Sequence, residues 1–110
     1  MINPENLFDN IPSLVEGEDF SELLKLRNVI IERIVSSDPA GICCAARPDN
    51  KVYCQAQDEW VILVKGKAQL RINDDIVSLK AGDYLFIPAM TPHQVLTTSN
   101  DCIWLAIHIY

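Results

Sequence analysis

From Val29 to Tyr110, short β-branched and aromatic runs alternate with turn signals about every eight to ten residues. "VIIERIVS" is followed by the break "SDPAG", and "ICCAA" and "VYCQ" flank the turn "RPDNK". "EWVILV" and "AQLRI" flank Gly66, "NDD" leads into "IVSLK", and "AGD" leads into "YLFIP". "HQVLTT" then runs through "SND" to "CIWLAIHIY". With no crossover helix between these runs, the chain is expected to form an antiparallel all-β sandwich or small barrel of about eight strands.

The pattern changes upstream of Val29. Asn3 before Pro4 reads as a helix cap with proline at the first helical position, opening a short turn through Phe8. In "GEDFSELLKLRN", Asp19 and Glu22 have capping-box spacing, and Phe20, Leu23 and Leu24 would share one helical face. Asn28 suits a helix exit. The expectation is a short helical segment over residues 1–28, packed on a barrel over 29–110.

The chain has 110 residues, 49% of them hydrophobic, which fits one domain with its own core. No apolar run approaches the roughly 20 residues that span a bilayer. "MINPENLFDN" lacks the basic and apolar segments of a secretory signal, so a cytoplasmic location is expected. Net charge is −6 and the Lys and Arg residues are scattered, which argues against nucleic acid and anionic membrane as partners. The four cysteines, Cys43, Cys44, Cys54 and Cys102, show no CxxC spacing and point to neither a disulfide framework nor a zinc ribbon. A hairpin symmetric about Asp49 would set Cys44 opposite Cys54. Both are read as structural thiols.

Two motifs carry a more specific signal. Glu59 followed after six residues by Gly66 resembles the end of the first cupin motif, His-x-His, three or four residues, Glu, six residues, Gly. Gly82, Pro88 and His93 resemble the second, Gly-x5-Pro-x-Gly-x2-His-x3-Asn. In order and separation they are similar to a small single-domain bacterial cupin, and "DEWV", "WLAIH" and "NLFDNIP" look like one group of these with no settled activity. Some of that group carry sugar-phosphate-isomerase-like labels. The resemblance implies a double-sheet jelly-roll barrel, and a homodimer. Abundant β-branched and aromatic residues on both strand faces point to the dimer as well.

The departures from the motifs decide the chemistry. With three residues before Glu59, the two histidines fall on Tyr53 and Gln55; with four, they fall on Val52 and Cys54. The first alignment is preferred because Tyr53 and Gln55 are polar and share a strand face. The glycine after Pro88 is Met90 and the closing asparagine is Thr97. Of four implied metal ligands, Glu59 and His93 remain. Gln55 adds only a neutral oxygen, and Tyr53 ligates well only as phenolate. The candidate metal set is therefore Gln55, Glu59 and His93, expected to hold a divalent metal weakly or not at all.

The same residues can work without metal. Tyr53, Glu59 and His93 are the candidate acid–base groups, and Tyr53, Gln55, Glu59 and His93 the candidate ligand-binding floor for a small polar, sugar- or carbonyl-like molecule. An isomerase, an epimerase, a dioxygenase-like enzyme, a binding barrel without turnover and a purely structural or regulatory dimer all stay open. His108 is read as structural or interfacial, because both Trp104-Ala106-His108-Tyr110 and Leu105-Ile107-Ile109 are credible inward sets. Trp60 and Trp104 are read as core or interface aromatics, and Asn73–Asp75 as hairpin chemistry.

Overall fold

A computed structural model describes residues 2–14, 17–38 and 52–110. Seven antiparallel strands are present: β1 (Gly17–Leu26), β2 (Val29–Asp38), β3 (Asp58–Lys65), β4 (Lys67–Ile72), β5 (Asp75–Lys80), β6 (Tyr84–Ile87) and β7 (His93–Ile109). One sheet has the order β1-β2-β7-β3-β6, while β4 pairs with both β5 and β7. The fold is all-β, as expected. The expected strand over "ICCAA" and the Cys44–Cys54 pairing lie outside the described residues.

Two expectations need correction. Residues 17–26 form a strand, not a helix, paired with β2 from Gly17↔Ser37 to Leu26↔Val29. A bulge between Glu22 and Leu24 shifts the phase there. That extra residue makes an alternating strand imitate the spacing of an amphipathic helix. Arg27 and Asn28 are the hairpin turn, with Arg27 at φ 54°. Among the described residues further upstream there is no helix either: Asn6 caps a single turn, its Oδ1 accepting from the Phe8 N–H at 2.8 Å.

The second correction concerns "HQVLTT" and "CIWLAIHIY", which are one strand. Its first half pairs with β4 (Ile72↔His93 to Ala68↔Thr98), and its second half lies between β2 and β3. The corner falls near Asp101, at φ 55°.

Directly paired residues share a sheet face, so the register sorts side chains into rungs. The inner rungs are Ile30-His108-Glu59-Ile87, Glu32-Ala106-Val61-Leu85 and Ile34-Trp104-Leu63. The outer face carries the rung Leu24-Ile31-Ile107-Trp60-Phe86. Val61, Leu63, Leu70, Leu79, Trp104 and Ala106 form the core between the sheets. On the outer side, the buried Arg33 guanidinium donates to the carbonyls of Leu7 (2.9 Å), Asp9 (2.7 Å) and Asn10 (3.4 Å), which ties the N-terminal segment to the sheet.

Candidate functional site

The inner rungs leave an open-mouthed cavity in the barrel. Ile34, Val61, Leu70, Ile87, Val95 and Trp104 supply its apolar wall. Its polar groups are Glu18, Glu32, Tyr53, Gln55, Glu59, His93 and His108. All four residues expected at the floor therefore meet in one place.

Glu59 is 6% exposed and sits on β3 directly opposite His108. Its Oε1 lies 3.7 Å from His93 Nε2 and 3.9 Å from His108 Nδ1. The partners of each ring assign its tautomer. His93 Nδ1 is 3.0 Å from the Thr91 carbonyl, which can only accept, so Nδ1 carries the proton and neutral Nε2 faces Glu59 bare. His108 Nε2 is 2.8 Å from Glu32 Oε1 and so donates to it, while His108 Nδ1 accepts from Gln57 Nε2 at 3.2 Å. Two acceptor nitrogens thus face one carboxyl. Burial raises the Glu59 pKa above the ordinary carboxylate value and Glu32 adds to this, against the opposing pull of His108 and His93. Glu59 is thus a buried carboxyl of weakened acidity, placed beside two imidazoles.

Tyr53 is fixed to His93 twice. Its backbone exchanges hydrogen bonds with His93 at 2.8 and 2.9 Å, and the two rings stack with centroids 5.7 Å apart. Its phenol pKa is pushed up to about 12, first by burial and then by Glu18, which accepts its hydrogen bond. Tyr53 therefore stays a neutral phenol, its O–H given to Glu18. Gln55 is held through its backbone carbonyl, which accepts from the Met90 N–H at 2.7 Å. Its side-chain Oε1 is buried without a hydrogen-bond partner among the described residues, and the residue lines the cavity. It is an acceptor available to a ligand hydroxyl.

As a metal set these residues do not fit. The Tyr53 phenol keeps its proton, His108 Nε2 is taken by Glu32, and Gln55 offers only an amide oxygen. No group of three or more His, Cys, Asp or Glu among the described residues could hold an ion. Gln55, Glu59 and His93 lie together among the polar groups of the cavity.

His108, read from sequence as structural or interfacial with its face left open, belongs to the cavity lining. It faces the cavity on the same side as Trp104 and Ala106, and Trp104 is wall to the cavity as well as core. The missing signal was register, because β7 alternates credibly on both faces until β3 places Glu59 beside His108. Glu18 and Phe20 were hidden by the helix expectation, and Glu32 by its place in a strand with no motif. Cys54 is an exposed free thiol and Cys102 a buried one.

The family model described as "Cupin domain" matches residues 50–108. Among solved structures, a Ralstonia eutropha JMP134 protein with a provisional mannose-6-phosphate isomerase name is 33% identical, with 98% of each chain covered and a TM-score of 0.82. A cupin superfamily protein from Desulfitobacterium hafniense DCB-2 is 17% identical with TM-score 0.75, over 99% of this chain and 92% of that one. KdgF from Halomonas sp. is 14% identical with TM-score 0.70, over 84% and 80%. At these last two identities the likeness shows the fold alone. No curated protein matches the chain.

Proposed function

This chain belongs to the cupin domain family, and from that premise we propose that it binds a small polar, sugar- or carbonyl-like molecule in the barrel cavity and moves a proton on it without a metal. The observation that carries this reading is the buried Glu59 carboxyl lying 3.7 Å from His93 Nε2 and 3.9 Å from His108 Nδ1. Both distances exceed a direct hydrogen bond, so the relay closes through a hydroxyl or carbonyl oxygen of the ligand. In an aldose–ketose step, His93 Nε2 takes the proton from the carbon beside the carbonyl while the Glu59 O–H protonates the carbonyl oxygen, forming an enediol. The Glu59 carboxylate then takes the proton of the other enediol hydroxyl as His93 returns its proton to the former carbonyl carbon. The carbonyl thus moves one carbon along, both groups regain their starting protons and there is no net oxidation. Gln55 Oε1 accepts from a ligand hydroxyl, and Tyr53, its O–H given to Glu18, offers its phenol oxygen as a second acceptor.

The isomerase name of the Ralstonia protein supports an enzyme of this kind. An open-mouthed cavity lined by seven polar side chains favours a binding site over a purely structural dimer, whose barrel side chains would fill. Glu59→Gln is the test. It keeps shape and neutrality but cannot exchange a proton, so aldose–ketose exchange should fall roughly 10²–10⁴-fold while sugar affinity stays within a few-fold. Unchanged turnover would remove the relay.

Self-association is the second part of the proposal. The outer rung Leu24-Ile31-Ile107-Trp60-Phe86 is an uncharged stripe across five strands and supports a homodimer. Sedimentation velocity reads it directly. We also place the protein in the reducing cytoplasm, which the free thiols of Cys54 and Cys102 suit; alkylation of Cys54 in cell extract without prior reduction checks this.

A further inference from the structure

The inner rungs that bring Glu59 to the floor also bring two other carboxylates into the cavity. Glu18 stands exposed at the mouth on β1, and Glu32 lies between it and Glu59 on β2. Among the described residues lining the cavity, none is lysine or arginine. Arg33, next to Glu32, points to the opposite face, where backbone carbonyls of the N-terminal segment hold it.

A phosphate monoester carries close to two negative charges at neutral pH, and its usual partners are Arg, Lys or a helix N-terminus. The described residues contain no helix. The imidazoles do not substitute, because the His93 and His108 N–H groups are committed to the Thr91 carbonyl and to Glu32. What remains facing inward is mostly acceptor: the Glu18 and Glu32 carboxylates, His93 Nε2 and Gln55 Oε1. Such a lining is complementary to a ligand rich in O–H donors and free of anionic groups.

We infer that the cavity selects an unphosphorylated sugar or polyol and rejects its phosphorylated form. This selection rests on the reading of the cavity as a small-molecule site, and it fixes the class of molecule that enters.

Two measurements on the full chain in EDTA test it. First, calorimetric titration compares mannose with mannose 6-phosphate, which differ by one phosphoryl group; mannose is expected to bind at least tenfold more tightly, and the Glu18→Gln, Glu32→Gln double variant to narrow that ratio. Second, ionisation of Tyr53, followed by ultraviolet absorbance and assigned with Tyr53→Phe, should move to lower pH in the double variant. Glu18→Gln alone, at the exposed mouth, serves if the double variant does not fold. Equal or tighter binding of mannose 6-phosphate would overturn the inference, as would an unmoved Tyr53 ionisation. If neither sugar binds while the Tyr53 ionisation moves, the sugar reading falls and the charge selection stands.

Discussion

The Tyr53 phenol keeps its proton to about pH 12, against 10.0 for an ordinary tyrosine. Between those values the folded chain binds a proton that the unfolded chain has lost. Tyr53 therefore contributes stability below pH 10 that is lost as pH rises through 12. A tyrosinate absorbance titration should show one late step, absent in Tyr53→Phe. The sign is the same at Glu59: its raised pKa favours the fold at low pH and is lost as pH rises through the folded value. Gly66 makes a separate point. It lies at φ +97°, and an added Cβ would stand 2.5 Å from Cys102 Sγ and 2.7 Å from Ser99 Oγ. Both neighbours are committed: Ser99 Oγ accepts from the Lys67 N–H, and Cys102 Sγ donates to the Lys67 carbonyl. Gly66→Ala should cost roughly 2–5 kcal/mol from backbone strain and overpacking, read as a lower urea midpoint. The motif glycine was legible in sequence, but the thiol it makes room for was not. Met90 shows the converse, since it occupies positive φ (61°) where the motif has glycine, with its side chain exposed.

At the scale of elements, β1 resisted reading because a bulge breaks its alternation. Phe20, Leu23 and Leu24 have helical spacing, but Leu23 is the unpaired residue and Phe20 and Leu24 lie on opposite faces. Local spacing cannot register a partner strand, and β2 supplies one along the full length. The strands of the second half were legible because their turns carry Gly66, Asn73 and Gly82, all at positive φ. The N-terminal segment is held by Arg33 rather than by an amphipathic face. Arg33→Ala removes its three donated hydrogen bonds and should lower stability by about 2–4 kcal/mol. It should also open a protease-sensitive site near Phe8, with Arg33→Lys restoring only part, since one ammonium cannot reproduce the guanidinium's planar fork. Unchanged proteolysis would show that other contacts hold the segment.

At the scale of the whole molecule, the outer sheet face leaves Leu24, Leu26, Tyr84, Phe86 and Ile109 between 40% and 64% exposed. At ~200 Å² per large side chain they offer ~500 Å² before half-buried Trp60 and Ile107 are added, approaching the ~800 Å² per partner of a standard interface. A two-fold pairing of this face with its copy is self-complementary, because an uncharged stripe meets itself without repulsion. Phe86→Glu sets like charges against each other and should weaken the dimer at least ~100-fold, leaving the far-ultraviolet circular dichroism unchanged. A wild-type chain sedimenting as a monomer at micromolar concentration would overturn the pairing. The barrel could be read from motif spacing, whereas this face could not, because which residues of β7 point outward depends on its two neighbours.

Strand β7 also gives the molecule a common timescale. Its residues bond to β4 at one end and to both β2 and β3 at the other, so neither sheet can lose it alone. Amide protons of these four strands should exchange with solvent through one shared opening event, at rates set by global unfolding. The β1 edge, which among the described residues pairs with β2 alone, can open separately, and it carries Glu18 and the cavity mouth with it.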